Sequence, residues 1–260
     1  VIGMVPVQED GSANFHVPAE MDLYFQALDK DYRAVQRMRT HVEFARGEVR
    51  GCIGCHETRD SVVGLSGERF ANAMNSQPVR PTPPPWGDTT VIDFETMIHP
   101  ILEAKCVDCH GGEKTEAGLD LTAARGNQGF MQSYRSIWGI QPGEESPEVG
   151  KDRIAGYGKY FSDHPWAKIM ADFVQVRESA GKEEQGIPNI PKRYGAIAHP
   201  FASKLVEPGD DHAKLLTEEE KQLLMTWFDI QTPYFSVYEA WNEKKEPEPV
   251  VFTPPFGTNP

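Results

Sequence analysis

Residues 93–110 read "DFETMIHPILEAKCVDCH". Phe94, Met97, Ile98, Ile101 and Leu102 recur at helical spacing, and Asp93 is a plausible N-cap. Pro100 falls inside the pattern and removes an amide donor, so a kink or a late helix start is expected. The helix carries Cys106 at its end and leads into Cys-x-x-Cys-His, residues 106–110. The same pattern stands at 52–56, inside "RGCIGCHETRD" (50–60), and the two copies hold all four cysteines of the 260-residue chain.

Cys-x-x-Cys-His is the attachment signature of a c-type haem. Two thiols at i and i+3 can each add to one vinyl group on the porphyrin edge. The histidine after them then lies under the ring and reaches the iron. Cys52 and Cys55 would hold one haem with His56 as proximal ligand. Cys106 and Cys109 would hold a second with His110. Two Cys-x-x-Cys pairs could instead build a zinc site, but zinc needs no histidine after either pair. A thioredoxin-like dithiol is the remaining alternative. Two covalently bound haem c groups are therefore expected.

The totals agree with wrapped cofactors. Glycine (23) and proline (21) are abundant and hydrophobic residues make up 39%, so loops should be many and regular elements short. Two macrocycles supply large apolar faces that such a chain can cover. The net charge of −13 argues against nucleic acid and for partners that are basic or neutral at the contact. No run of about 18 apolar residues exists, so no membrane span is expected. The start at Val1 reads as the middle of a strand, as in a mature or trimmed piece of a longer protein.

The first fifty residues read as β-rich. "GSANFHV" (11–17) alternates, while "MDLYFQAL" (21–28) and "YRAVQRM" (32–38) flank "DKD" as a hairpin around an Asp-containing turn. "QPVRPTPPPWGD" (77–88) is a stiff, extended connector, with Trp86 packed on a domain or a cofactor. Residues 111–200 are irregular, with short helical pieces such as "WAKIMADFVQV" (166–176). "TEEEKQLLMTWFDI" (217–230) is the clearest helix, with a Thr217/Glu220 capping box and Leu223, Leu224, Trp227 and Phe228 on one face. The expected fold class is α+β: a small antiparallel β domain (1–78) with the first haem, a proline-rich linker (79–90), a mostly α, loop-rich cytochrome c-like domain (91–243) with the second, and an extended tail (244–260).

The sixth iron ligand decides what each haem can do. Six histidines lie outside the motifs: His16, His41, His99, His164, His199 and His212. Met74, Met131 and Met170 are rivals, though a methionine is more often core filling than ligand.

"DGSANFHVPAEMDLYFQALDKDYRAVQRMRT", "GEVRGCIGCHETR", "PTPPPWG", "IHPILEAKCVDCH", "ASKL", "LTEEEKQLLMTWFDIQTPYF" and Tyr238 follow one another in an order that resembles the middle and C-terminal haem domains of the hydrazine synthase alpha-subunit family. The resemblance covers nearly the whole chain, loosely over 120–190. It implies a partly open first haem and a six-coordinate second one, with a β-propeller ahead of both domains. Where that family has a tyrosine four residues after the first motif's histidine, this sequence has Asp60, so ordinary ligation by His56 is expected. Relatives carry a Gly-His pair before the last helix. Here "PGDDHAKLL" shifts the register, and His212 is the candidate distal ligand of the second haem, with His199 close behind. His41 and His16 are the candidates for the first.

These readings predict an exported dihaem cytochrome, periplasmic or extracellular, relaying electrons between redox partner proteins. Two alternatives stand beside it: a haem enzyme or enzyme subunit whose open first haem acts on a small nitrogen compound or peroxide, and a subunit of a larger multihaem assembly.

Overall fold

A computed structural model describes residues 1–38, 41–53, 71–88, 91–112, 114–126, 129–139 and 191–236 of the protein. The fold is α+β with much loop. Among the described residues the strands are β1 (Gln26–Leu28), β2 (Ala34–Arg37), β3 (His110–Gly111) and β4 (Lys114–Thr115). The helices are α1 (His99–Lys105), α2 (Gln132–Ile137), α3 (Pro200–Lys204) and α4 (Glu218–Asp229). Two compact units form. One takes Val1–Phe25 and Arg37–Val91; the other takes Gln26–Gln36 and the described residues from Ile92 onward. No helix among the described residues is long and apolar enough to cross a membrane.

In the first unit, Leu23 and Val42 exchange both backbone hydrogen bonds, at 2.8 and 2.9 Å, and form the base of the expected hairpin. Phe25 packs edge-on against Phe15 and Phe44, which is buried. The strand expected over 11–17 is reduced to one parallel bridge between Phe15 and Val79. Its would-be partner is the proline-rich stretch, which is extended but short of donors. Val79 N reaches Asn14 O and Thr82 N reaches Met4 O, while prolines interrupt the ladder between and beyond them. Side chains bond in its place: Asn14 Nδ2 donates to Ala73 O and Ser76 O, and Asp10 accepts from Ser12 and Asn72. Trp86 is half-buried.

The second unit holds the hairpin tip. Asp29 Oδ1 accepts from the amides of Asp31 and Arg33 at 2.9 and 3.0 Å, and Tyr32 takes positive φ. This is the Asx-type turn that "DKD" predicts. The tip is held from far along the chain. Asp229, at the end of α4, is 2% exposed. Its Oδ2 accepts from Ala34 N (2.7 Å), its Oδ1 from Ala196 N (2.9 Å), and its carbonyl from Gln26 Nε2 (2.8 Å). A buried carboxylate is tolerable when its lone pairs are filled in this way. Gly195 has φ +72°, and a Cβ there would drive into Asp229 Oδ1.

Asp93 caps the helix at 93–105 by accepting from Thr96 N at 3.0 Å. Pro100 divides that helix in two. The first turn, Phe94–Ile98, is a π turn with His99 N bonded to Phe94 O, and regular α geometry begins at His99 with the proline in its first turn. The wider turn absorbs the missing donor without a break. Phe94, Ile98 and Leu102 are almost fully buried with Leu121, Ile137, Leu224, Met225, Trp227 and Phe228. Burial of a side chain of this size contributes about 1.5–3 kcal/mol. The predicted capping box closes α4: Glu220 N donates to Thr217 Oγ1 (3.2 Å) and Thr217 N to Glu220 Oε2 (2.8 Å). Leu224, Trp227 and Phe228 face the core as the spacing predicts, and Leu223 is half-buried.

Candidate functional site

Cys106 is the C-cap of α1, and the chain turns at once: Cys109 N (3.2 Å) and His110 N (2.9 Å) both donate to Cys106 O. One tight turn therefore carries both thiols and the histidine. Cys109 is exposed and Cys106 is buried. Burial pushes the Cys106 thiol up to about 11, with the charge of Cys109 adding to it. His110 then starts β3, paired with β4 through His110–Thr115 and Gly111–Lys114. Gly111 is required here, because a Cβ would meet Val107 O at 2.7 Å. The hairpin brings Glu116 O to 2.9 Å from His110 Nδ1. A carbonyl only accepts, so Nδ1 carries the proton and Nε2 keeps its lone pair.

The ring of His212 is a close neighbour, with centroids 6.2 Å apart and planes at 38°. His212 belongs to a 3₁₀ turn, Asp211–Lys214, capped by Asp210. Asp210 Oδ1 accepts from His212 N (3.0 Å) and from His212 Nδ1 (2.6 Å), and Lys204 Nζ reaches Oδ2 at 3.1 Å. These bonds hold the Asp210 carboxyl well below the usual carboxylate range. Again Nδ1 is the donor and Nε2 is left with its lone pair. Lys105, the last residue of α1, donates to Leu215 O (2.8 Å) and pairs with Glu220 at 3.1 Å, so the turn is tied to the helix that delivers Cys106.

A haem iron is a chemical fit for this pair. His110 and His212 would each offer such an iron a neutral imidazole nitrogen, Nε2, since Nδ1 holds the proton in both. Both Nδ1–H groups are held by oxygen acceptors, the usual arrangement behind a metal-bound imidazole. A bare metal ion makes a different demand. Among the described residues no group of three or more His, Cys, Asp or Glu side chains gathers to hold one. A porphyrin supplies four nitrogens itself and asks the protein for two.

The other candidates fall elsewhere. His199 is fully buried, and both its ring nitrogens are engaged: Nε2 with Ile137 O at 3.0 Å, and Nδ1 with the amide of Phe201 at 3.2 Å. It caps α3, and burial lowers its pKa to about 4. It has no lone pair to offer an iron. His41 is exposed, with Nε2 3.5 Å from Asp22 Oδ1. His16 is exposed beside the Phe15 bridge. His99 is buried with Nδ1 at 3.0 Å from Ser133 Oγ and with Nε2 unpartnered among the described residues. Met131 is buried at the start of α2, and Met74 is exposed. In the first motif, Cys52 is exposed between Val49 and Ile53, themselves 97% and 83% exposed. Cys55, His56, Asp60, His164, Met170, Tyr238, residues 166–176 and the tail at 244–260 lie outside the described residues.

Motif reading alone misses Asp210. The available signal was an Asx cap two residues before a histidine.

The family model described as the hydrazine synthase alpha subunit middle domain matches residues 1–57, which include the first motif. Hydrazine synthase subunit alpha of Kuenenia stuttgartiensis is 24% identical over 281 aligned positions, covering 88% of this chain. The chain spans about a third (32%) of that relative's length. No solved structure matches the chain significantly.

Proposed function

We propose that the chain is a two-haem c-type cytochrome module that relays electrons within a larger redox assembly. The observation that carries this reading is the neighbouring pair of His110 and His212, each with Nδ1 hydrogen-bonded to an oxygen. Cys106 and Cys109 would attach the second haem, and His110 and His212 would ligate its iron. The first is attached through Cys52 and Cys55, with His56 as proximal ligand and His41 or His16 as distal candidates. A haem ligated by both histidines would supply one-electron transfer and would leave no site for a substrate. The chain's part is to fix both imidazoles, cover the macrocycle and limit solvent. The similarity to a protein named as a subunit supports partner proteins. Other haem subunits or a preceding propeller domain would be among them. The acidic charge suits partners that are basic at the contact. The setting is periplasmic or extracellular.

The test is expression in a host that matures c-type cytochromes, followed by haem quantification. Two haems per chain are expected, falling to one in Cys106→Ala/Cys109→Ala; a product without covalent haem overturns the reading.

A second reading concerns the first haem alone. The match of residues 1–57 to a hydrazine synthase domain favours an open first iron acting on a small nitrogen compound or peroxide and fed by the second haem. Carbon monoxide added to the reduced protein distinguishes the two. A spectral shift in one haem equivalent supports the open site, and no shift supports pure relay.

A further inference from the structure

We infer that Asp210 is a positioning residue for the second haem's distal histidine, and that its charge biases that iron toward the ferric state from the His212 side alone. The inference rests on the reading of His212 as an axial ligand. Its basis is an asymmetry between the two imidazoles. His110 donates its Nδ1 proton to a neutral acceptor, the backbone carbonyl of Glu116, at 2.9 Å. His212 donates to a carboxylate oxygen at 2.6 Å. The Asp210 side chain is 15% exposed, and among the described residues the lysine paired with it is Lys204, through Oδ2.

A charged acceptor draws the Nδ1 proton toward itself and raises electron density at Nε2, without removing the proton. A more basic axial nitrogen stabilises the iron that carries more positive charge. The couple concerned is the one-electron ferric/ferrous change, with the electron supplied or accepted by the redox partner. Asp210 also orients the ring. The oxygen that takes the Nδ1 proton takes the backbone N–H of His212 as well, so cap and imidazole share one anchor. Lys204 opposes the effect by drawing the carboxylate's charge to Oδ2.

The experiment is a redox titration of the full two-haem protein, followed by absorption. Asp210→Asn keeps Oδ1 as the acceptor for both His212 donors and removes the charge, together with the Lys204 bond at Oδ2. It should retain the low-spin bands and move one of the two waves to higher potential. The ferric-to-ferrous ratio at fixed potential should fall about tenfold, or ~59 mV for one electron. Lys204→Gln should move the same wave the opposite way, by a smaller factor. A change of less than about twofold in that wave on Asp210→Asn, or an equal shift of both waves, overturns the inference. If Asp210→Asn does not accumulate, Lys204→Gln decides, and an unmoved wave overturns it. His212→Gly checks the underlying reading separately. The second haem should become high-spin and be restored by added imidazole. An unchanged spectrum overturns the ligand assignment, and this inference with it.

Discussion

His199 and His212 sit at the starts of neighbouring short helical turns, and each is anchored through Nδ1, yet their chemistry is opposite. At α3, the amide of Phe201 donates to His199 Nδ1, so the ring proton is on Nε2 and is spent on Ile137 O. At the 3₁₀ turn, a carboxylate accepts from His212 Nδ1, so the proton is there and Nε2 is open. One ring is a structural plug packed 5.0 Å from Phe228; the other is half-exposed and faces His110. A core histidine and a candidate ligand differ here in the direction of one hydrogen bond at Nδ1 as well as in burial.

Exchanging the demands on the two residues should expose this difference. The largest effect is expected at His212, where His212→Ala should abolish the low-spin spectrum of the second haem and open it to carbon monoxide, with little loss of fold. His199→Ala should do the reverse. It leaves Ile137 O unpaired and a cavity beside Phe228, at a cost of about 2–4 kcal/mol by chemical denaturation, with haem bands intact. A spectral change in His199→Ala of the size seen for His212→Ala would collapse the distinction.

Acid should find His199 before it finds the site. Its folded pKa is depressed to about 4 because burial disfavours the charged ring. The unfolded chain, near 6.5, therefore binds the proton first. Stability is full above about pH 6.5 and falls as pH drops toward 4, by a limit of about 3 kcal/mol. Denaturation midpoints across that window should show this slope in the parent and lose most of it in His199→Phe. The smallest effect belongs to Thr217→Ala, which removes half of the capping box next to the His212 turn. A loss of about 1 kcal/mol is expected, with the second haem's bands unmoved.

Local chemistry was legible in the sequence wherever donor and acceptor lay close together along the chain. The Asp29 turn, the Asp93 cap, the Thr217–Glu220 box and the Cys106–His110 turn each lie within a few residues. The strand at 11–17 was overstated because alternation reports a potential partner, and the partner is full of prolines. Pro100 announced a perturbation without saying that a π turn would absorb it. The order of His212 before His199 rested on the resemblance alone; the residues near each could not decide it, since Ile137 O lies 62 residues from His199, and His110 lies about a hundred from His212.

The grip of Asp229 on the hairpin tip spans 195 residues to Ala34 and 203 to Gln26. The two cysteine motifs lie in sequence between the tip and Asp229, so the second unit closes only when chain on both sides of them has come together. The same long loop makes folding slow by topology. A fragment cut at residue 92 would lack Gln26 and Ala34 as partners for Asp229, so the C-terminal half is unsuited to folding on its own.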